Sequence, residues 1–160
     1  MPIDNGDKLP QQSFIIASDN GPKHVDFNEL FSGKTVVIFG LPGAFTPTCS
    51  AKHLPSYQKN AAALNAKGVD KIICMSVNDA FVMQAWAKSQ DISDDIIMLA
   101  DGNCDFTKAL GLELDGTKFG MGTRCQRFAL LAKDGVVSRI FIEQAGEYKV
   151  SAAEYMLANI

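Results

Sequence analysis

The segment from Pro42 to Ser50, PGAFTPTCS, holds the residues best suited to thiol chemistry. Proline is favoured at the first helical position, so Pro47 predicts a helix start with Thr46 as N-cap and Cys49 in the first turn. A thiol there lies among unpaired backbone N–H groups at the positive end of the helix dipole, and both favour the thiolate. Because the thiolate is the attacking form, Cys49 is predicted to be a nucleophile.

Two other interpretations of the segment remain open. Free cysteines are commonly buried, so Cys49 could be a core residue after an ordinary helix start. His53 follows four residues later on the same helix face, as in the Cys–His pair of a hydrolase or acyltransferase. We interpret His53 as a supporting group, because the helix dipole favours the thiolate without a base and no orienting acid is evident. His24, in a polar turn, is expected to be exposed.

The elements around Cys49 are predicted to be a buried strand and a long helix. Residues 34–41 are apolar and β-branched, as in a central strand covered on both faces. The helix is predicted over residues 47–67 with a kink at Pro55. Its apolar face contains Leu54, Tyr57, Ala61 and Leu64. Since ligands of open α/β sheets bind at the carboxyl ends of strands, this arrangement favours a functional Cys49.

Strand and helix patterns alternate along the rest of the chain. Further strands are predicted at residues 13–18, 70–77 and 96–100, and further helices at residues 26–33, 79–89 and 106–110. The helix at residues 79–89 is expected to bury Phe81, Val82, Ala85 and Trp86.

The last third of the chain is predicted to form a glycine-rich loop, a hairpin and a helix. The loop covers residues 116–124, and Asp134-Gly135 is a two-residue turn signal between strands at residues 127–132 and 136–142. The spacing of Ser151 and Glu154 predicts a capping box for the last helix. Crossover helices imply parallel strands and the hairpin an antiparallel pair, so we expect an α/β fold, a thioredoxin-like α/β sandwich with a mixed central sheet.

Length and composition exclude several function classes. The length of 160 residues predicts one domain over residues 1–160. The net charge of −3 argues against binding of nucleic acid or anionic membranes. The acidic start MPIDNGDK lacks the apolar segment of a signal peptide, and no stretch approaches the roughly 20 apolar residues of a membrane span. Four cysteines without a CxxC pair, and two histidines, predict no metal site. We expect a cytoplasmic protein with reduced thiols and no cofactor.

The spacing of Pro42, Thr46 and Cys49 as PxxxTxxC resembles the active-site motif of the peroxiredoxins. Other stretches are similar to the type II (atypical two-cysteine, glutaredoxin-linked) subfamily. They are CSAKHLP at residues 49–55, SVNDAFV at 76–82, LAD at 99–101 and RFALLAKDG at 127–135. The resemblance covers most of the chain. It implies a thiol peroxidase that reduces hydrogen peroxide and small organic hydroperoxides in antioxidant defence and redox homeostasis.

The resemblance also implies roles for residues of the segment. Cys49 would be the peroxidatic cysteine, whose thiolate attacks the peroxide and becomes a sulfenic acid. Thr46 would present its hydroxyl to the thiolate and the peroxide, and backbone N–H groups near Gly43 and Cys49 would complete the donor set. Pro42, which has no N–H, would shield the thiolate from water.

A cation is the remaining requirement of the family. RFALLAKDG assigns it to Arg127, whose guanidinium can bind thiolate and peroxide oxygen together. Arg124 also resembles a subfamily position, and we expect it to support Arg127 or a dimer contact. His53 matches a motif position and is expected to be structural or supporting.

The route by which the sulfenic acid is reduced is open. Some type II members resolve it with a cysteine about 25 positions on, where this chain has Cys74. Cys74 lies in a predicted buried strand, and a disulfide needs Cα atoms within about 7 Å, so the helix around Cys49 would have to unwind. We favour a structural Cys74, with glutathione or glutaredoxin rather than thioredoxin as the reductant. Cys104 and Cys125 are expected to be unpaired thiols.

Type II peroxiredoxins are commonly dimers. The resemblance therefore implies a homodimer, with Phe45, Phe119 and Met121 as apolar contacts. A non-enzymatic alternative is a thioredoxin-fold interaction protein or peroxide sensor. The combination of Pro42, Thr46, Cys49 and Arg127 weighs against it, because a binding protein has no need of all four.

Overall fold

The central feature of the fold is a seven-stranded mixed sheet with helices on both faces, seen in a computed structural model that describes residues 1–160. Its strands are β1 (Phe14–Ile16), β2 (Lys23–Val25), β3 (Thr35–Gly40), β4 (Lys71–Ser76), β5 (Ile96–Ala100), β8 (Phe128–Lys133) and β9 (Val136–Ile142). A separate two-stranded ribbon consists of β6 (Glu113–Asp115) and β7 (Thr123–Cys125). The helices are α1 (Phe27–Phe31), α2 (Leu54–Ala66), α3 (Ala80–Ser89), α4 (Asp105–Leu110) and α5 (Ala153–Ala158).

The order of strands is β2-β1-β5-β4-β3-β8-β9, with β3, β4 and β5 parallel and β8 antiparallel to β3. This confirms the predicted mixed sheet of a thioredoxin-like fold. Helices α2, α3 and α5 pack on one face of the sheet, and α1 and α4 pack on the other. Gly40 at the end of β3 is paired with Phe128 at the start of β8. The residues just after β3 and just before β8 therefore meet at one edge of the sheet.

The long helix begins at Pro47 as predicted, but it contains a π-helical turn at Cys49–His53 before α2 starts. In this turn the Leu54 N–H bonds to the Cys49 carbonyl. Pro55 gives a reason for it: proline has no N–H, and its ring clashes with the carbonyl four residues earlier. The wider turn takes the place of the predicted kink. The four residues of the predicted apolar face are buried.

The buried face of α3 differs from the prediction. Phe81 and Ala85 are exposed and Val82 is half-buried, whereas Met83 and Trp86 are fully buried. Of the four residues predicted to be buried, only Trp86 lies on the buried face. That face consists of Ala80, Met83, Trp86 and Ala87, whose spacing follows the helical period.

The capping box predicted for the last helix is wrong. Helix α5 has Ala152 at its N-cap and no side-chain cap, because the Ser151 hydroxyl donates to Glu143 instead. The predicted hairpin turn is present, with positive φ angles of 49° at Asp134 and 75° at Gly135. Such angles are those of a type I′ turn. The glycine-rich segment at residues 116–124 is predicted to be a loop, but its last two residues are part of strand β7 and pair with β6.

None of the helices has the length and apolar character needed to span a membrane.

Candidate active site

Cys49 lies in the π-helical turn and is fully buried. Arg127 directly precedes β8 and donates from Nη2 to the Cys49 Sγ atom at 3.1 Å. The antiparallel pairing of β3 with β8 explains why two residues 78 positions apart meet. The sulfur therefore accepts a hydrogen bond from a cationic side chain near the start of a helix.

His53 holds the other side of the same guanidinium. Arg127 donates from Nη1 to His53 Nδ1 at 2.9 Å, and His53 Nε2 is 3.1 Å from the Ser151 carbonyl oxygen. Because a carbonyl can only accept, the network assigns the proton of the neutral ring to Nε2 and makes Nδ1 an acceptor. No hydrogen bond joins Cys49 to His53, so the geometry does not match the Cys–His pair of a hydrolase.

Burial is the main reason that the pKa of His53 is lowered from 6.5 to about 3. The positive charge of Arg127 lowers it further, and the hydrogen bond to Ser151 acts in the opposite direction. His53 is therefore neutral at any ordinary working pH, as an acceptor for Arg127 must be.

This neutral histidine should make the protein less stable in acid. Below about pH 6.5 the unfolded chain takes up a proton at His53 that the folded chain accepts only near pH 3. The free energy of unfolding should therefore fall with decreasing pH by up to about 1.4 kcal/mol per unit. Urea denaturation at pH 7 and pH 5 tests this: the wild type should lose about 2 kcal/mol more than His53→Gln. Equal losses would show that His53 titrates normally.

The loop between β3 and the helix is held from two sides. The Thr46 hydroxyl donates to the Gly43 carbonyl at 2.7 Å, and Asn78 Oδ1 accepts from the Ala44 N–H at 3.0 Å. The Ser76 hydroxyl donates to the same Asn78 oxygen at 2.7 Å, which fixes the amide. Since the Thr46 proton is committed to Gly43, the Thr46 oxygen has lone pairs left to accept a hydrogen bond from a ligand.

Two backbone N–H groups beside the sulfur, those of Gly43 and Cys49, have no acceptor within the chain. At Gly43 a β-carbon would lie 3.3 Å from both Arg124 Nη1 and Thr46 Cγ2, so a side chain there would press on both of these groups. Pro42 lines, with Thr48 and Arg127, a pocket of about 200 Å³ near the sulfur. The Gly43 and Cys49 N–H groups are therefore free to bind a ligand, and a small pocket lies beside Pro42 and Arg127.

Arg124 lies on β7 and does not contact the sulfur. Its side chain donates to the carbonyl oxygens of Met121 at 2.9 Å and Val77 at 3.1 Å. Its Nη1 atom lies close to Gly43, and both of its hydrogen bonds go to backbone carbonyls rather than to Cys49.

The other three cysteines are buried and free. Burial raises the pKa of Cys74 well above its usual value, and burial likewise raises the pKa values of Cys104 and Cys125. Cys74 lies in β4 within the same core cluster as Cys49. His24 is exposed as expected, although it belongs to β2 rather than to a turn.

The sequence did not reveal the roles of Asn78, Ser151 and Glu143. Asn78 binds the loop after β3, Ser151 binds His53, and Glu143 binds Ser151. Asn78 lies inside the SVNDAFV stretch, and that was the one signal that could have found it. The chain contains no cluster of three or more histidine, cysteine or acidic side chains that could hold a metal ion.

The fold and the site define a class of protein: a thioredoxin-like domain with a buried cysteine that accepts a hydrogen bond from an arginine. The sequence model of the Redoxin family matches residues 4–157. Peroxiredoxin-2E-2, chloroplastic, of Oryza sativa is 50% identical over 157 residues, which is 95% of this chain and 70% of the relative. Peroxiredoxin-2B of Arabidopsis thaliana is 45% identical, covering 98% of this chain and 97% of the relative.

A solved structure, reduced Prx3 of Vibrio vulnificus in complex with H₂O₂, is 49% identical and superimposes with a TM-score of 0.92 over 98% of both chains. The chain belongs to the Redoxin family and, within it, to the type II peroxiredoxins. It is a thiol-dependent peroxidase.

Proposed function

We propose that Cys49 is the residue that reduces the hydroperoxide, with Arg127, Thr46, Gly43 and Pro42 as its partners. The observation that carries the proposal is the 3.1 Å contact from Arg127 Nη2 to Cys49 Sγ at the start of a helix. The free N–H groups of Gly43 and Cys49 support it, because they supply donors where a peroxide oxygen can lie.

In the proposed step the Cys49 thiolate attacks the terminal oxygen of the hydroperoxide. The S–O bond forms as the O–O bond breaks, so sulfur is oxidised by two electrons and the peroxide is reduced. The leaving oxygen takes a proton from solvent and departs as water or an alcohol. Negative charge moves from sulfur to that oxygen, and Arg127 can donate to both ends of this path because a guanidinium carries several N–H donors. Thr46 accepts from the peroxide O–H and so orients it.

Other residues of the site are assigned supporting roles. Pro42 excludes water without offering an N–H that would compete for the thiolate. Arg124 stabilises the loop behind Gly43. His53 keeps the Arg127 guanidinium in the orientation that reaches Cys49.

We propose that glutathione or glutaredoxin reduces the Cys49 sulfenic acid directly, in preference to thioredoxin. The support is the burial of Cys74 and its raised pKa, which leave no ready internal thiol. The external thiol forms a mixed disulfide with Cys49 and releases water, and a second thiol then restores the Cys49 thiol.

Intact mass spectrometry tests both proposals on the reduced protein treated with one equivalent of hydrogen peroxide. We expect a gain of about 16 Da that a sulfenic-acid trap locates on Cys49. A loss of about 2 Da mapped to Cys49–Cys74 would make Cys74 the resolving residue. An unmodified Cys49 in the presence of remaining peroxide would contradict the assignment of the nucleophile.

We propose that residues 1–160 act as one domain and associate as a homodimer through exposed aromatic side chains near the site. Phe45 and Phe119 are exposed, and Met121, two residues after Phe119, is half-buried. Sedimentation of the reduced protein at micromolar concentration should give twice the mass of the chain. A monomer mass would contradict the dimer.

A cytoplasmic location is a proposal that rests on the four free thiols. Some relatives, including the one from Oryza sativa, carry chloroplastic names. Fractionation of the producing cells tests it, and recovery in an organelle would overturn it.

A further inference from the structure

A closed ring of hydrogen bonds runs through Arg127, His53, Ser151 and Glu143. Going one way, Arg127 donates to His53 Nδ1 at 2.9 Å, and His53 Nε2–H donates to the Ser151 carbonyl at 3.1 Å. Going the other way, the Arg127 carbonyl accepts from the Glu143 N–H at 2.9 Å. The Glu143 carboxylate then accepts from the Ser151 hydroxyl at 2.6 Å and the Ser151 N–H at 2.9 Å, which closes the ring.

Glu143 is the acidic member of this ring, and no hydrogen bond joins it directly to Cys49. It follows the last residue of β9 and is 9% exposed. One oxygen, Oε2, takes three hydrogen bonds: the two from Ser151 and one from the Lys149 N–H at 2.6 Å. Burial alone would raise its pKa, but the hydrogen bonds from Ser151 and Lys149 hold the pKa below its usual value. The carboxylate is therefore ionised, and its hydrogen bonds hold residues 149–151 in place.

The segment that Glu143 holds also covers the π-helical turn. The Tyr148 ring packs against His53 with centroids 5.3 Å apart, and its hydroxyl donates to the Lys52 carbonyl at 3.2 Å. The Ser151 carbonyl takes a second hydrogen bond, from the Tyr57 hydroxyl at 2.8 Å. A shift of the segment would move the carbonyl that fixes the His53 ring.

We propose that Glu143 is a positioning residue of the peroxidase reaction: its carboxylate fixes the Ser151 carbonyl, which orients His53 and through it the Arg127 guanidinium on Cys49. The proposal rests on the roles proposed for Cys49 and Arg127. It assigns Glu143 no contact with the peroxide. The effect on rate comes from the placement of the guanidinium, since a misplacement of about 1 Å can cost about 100-fold.

The chain offers a matched control at Asp101. Its carboxylate is 6% exposed and also accepts two backbone N–H bonds and one hydroxyl bond, from Phe106 and Thr107. It holds the start of α4, and no hydrogen bond links it to Arg127. Loss of either carboxylate removes three hydrogen bonds, but only loss of Glu143 opens the ring.

The experiment measures the second-order rate constant for oxidation of Cys49 by hydrogen peroxide, in acid-quenched single turnovers read by mass spectrometry. Glu143→Ala is expected to lower this constant by about 10- to 100-fold. Glu143→Gln, whose amide oxygen can accept the same bonds, should stay within about threefold of the wild type. Asp101→Ala should also stay within about threefold, although both alanine variants lower the melting temperature.

Nitrogen-15 NMR of the two histidines gives a readout that lost stability alone does not move. The His53 signals should report Nε2 protonation in the wild type and Glu143→Gln, and they should shift in Glu143→Ala. If Glu143→Ala does not fold, Glu143→Asp replaces it, since the shorter carboxylate cannot reach all three donors; a rate loss of about fivefold or more is then expected.

Equal rate constants for the Glu143 variants and the wild type would overturn the proposal. So would equal rate losses in the Glu143 and Asp101 variants, or a loss in Glu143→Ala without a change at His53. A wild type whose Cys49 does not react would instead overturn the assignment of the nucleophile, so the two failures are distinguishable.

Discussion

A Cys49→Ser variant should lose peroxide reduction by about four orders of magnitude or more, as expected when an enzyme loses its nucleophile. A serine hydroxyl is a much weaker nucleophile than a cysteine sulfur, and it cannot form the sulfenic acid that carries the oxygen. The fold should survive, because serine is nearly isosteric and can accept the hydrogen bond from Arg127. Peroxide consumption with dithiothreitol as reductant measures the loss.

The other cysteines provide matched controls for this result. Cys74, Cys104 and Cys125 are also buried, but none of them belongs to the long helix. Serine variants of these three should keep peroxide consumption within about threefold of the wild type and lose some stability, since each buries a hydroxyl. A Cys74 variant that loses turnover with dithiothreitol would show that Cys74 takes part in the cycle.

The sequence could single out Cys49 as the candidate nucleophile because the residues that suggest this role are its neighbours in the chain. Thr46, Pro47 and Cys49 are neighbours in the chain, and proline at the helix start fixes the position of the thiol. Arg127 could be found only through the RFALLAKDG stretch, since its contact with Cys49 spans 78 positions. The mixed sheet could be predicted because its turns and crossover helices are encoded in short segments of the sequence, and the structure confirms it.

Contacts that depend on tertiary packing could not be predicted. Ser151 has the spacing of a helix cap, yet its hydroxyl bonds to Glu143, an acceptor that reaches it only once β9 is placed in the sheet. Phe81 is apolar but faces outward, because the sheet lies on the other side of α3. The hydrophobicity of a residue predicts its burial only when it is known which side of the helix packs against the sheet.

Replacing Arg127 should be the next most damaging change. Arg127→Met removes the donor to the sulfur and the positive charge beside it, so the rate constant for Cys49 oxidation should fall by about 100- to 1,000-fold, the usual effect of losing one preorganised donor. Arg127→Lys keeps a charge but not the two-pronged donor geometry that spans Cys49 and His53. It should therefore react at an intermediate rate.

The same variants bear on the choice between Arg127 and Arg124. Arg124→Met should lower the rate by about tenfold or less, because Arg124 acts through the loop behind Gly43. Arg139→Met, an exposed arginine of β9, should leave it unchanged. In Arg127→Met the pKa of His53 should rise above its value of about 3, because one of the causes that lower it is gone. If Arg124→Met lowered the rate constant more than Arg127→Met, the assignment would be wrong. The cation that stabilises the reacting oxygens would then be Arg124 of β7, and the contact of Arg127 with the sulfur would contribute only to packing.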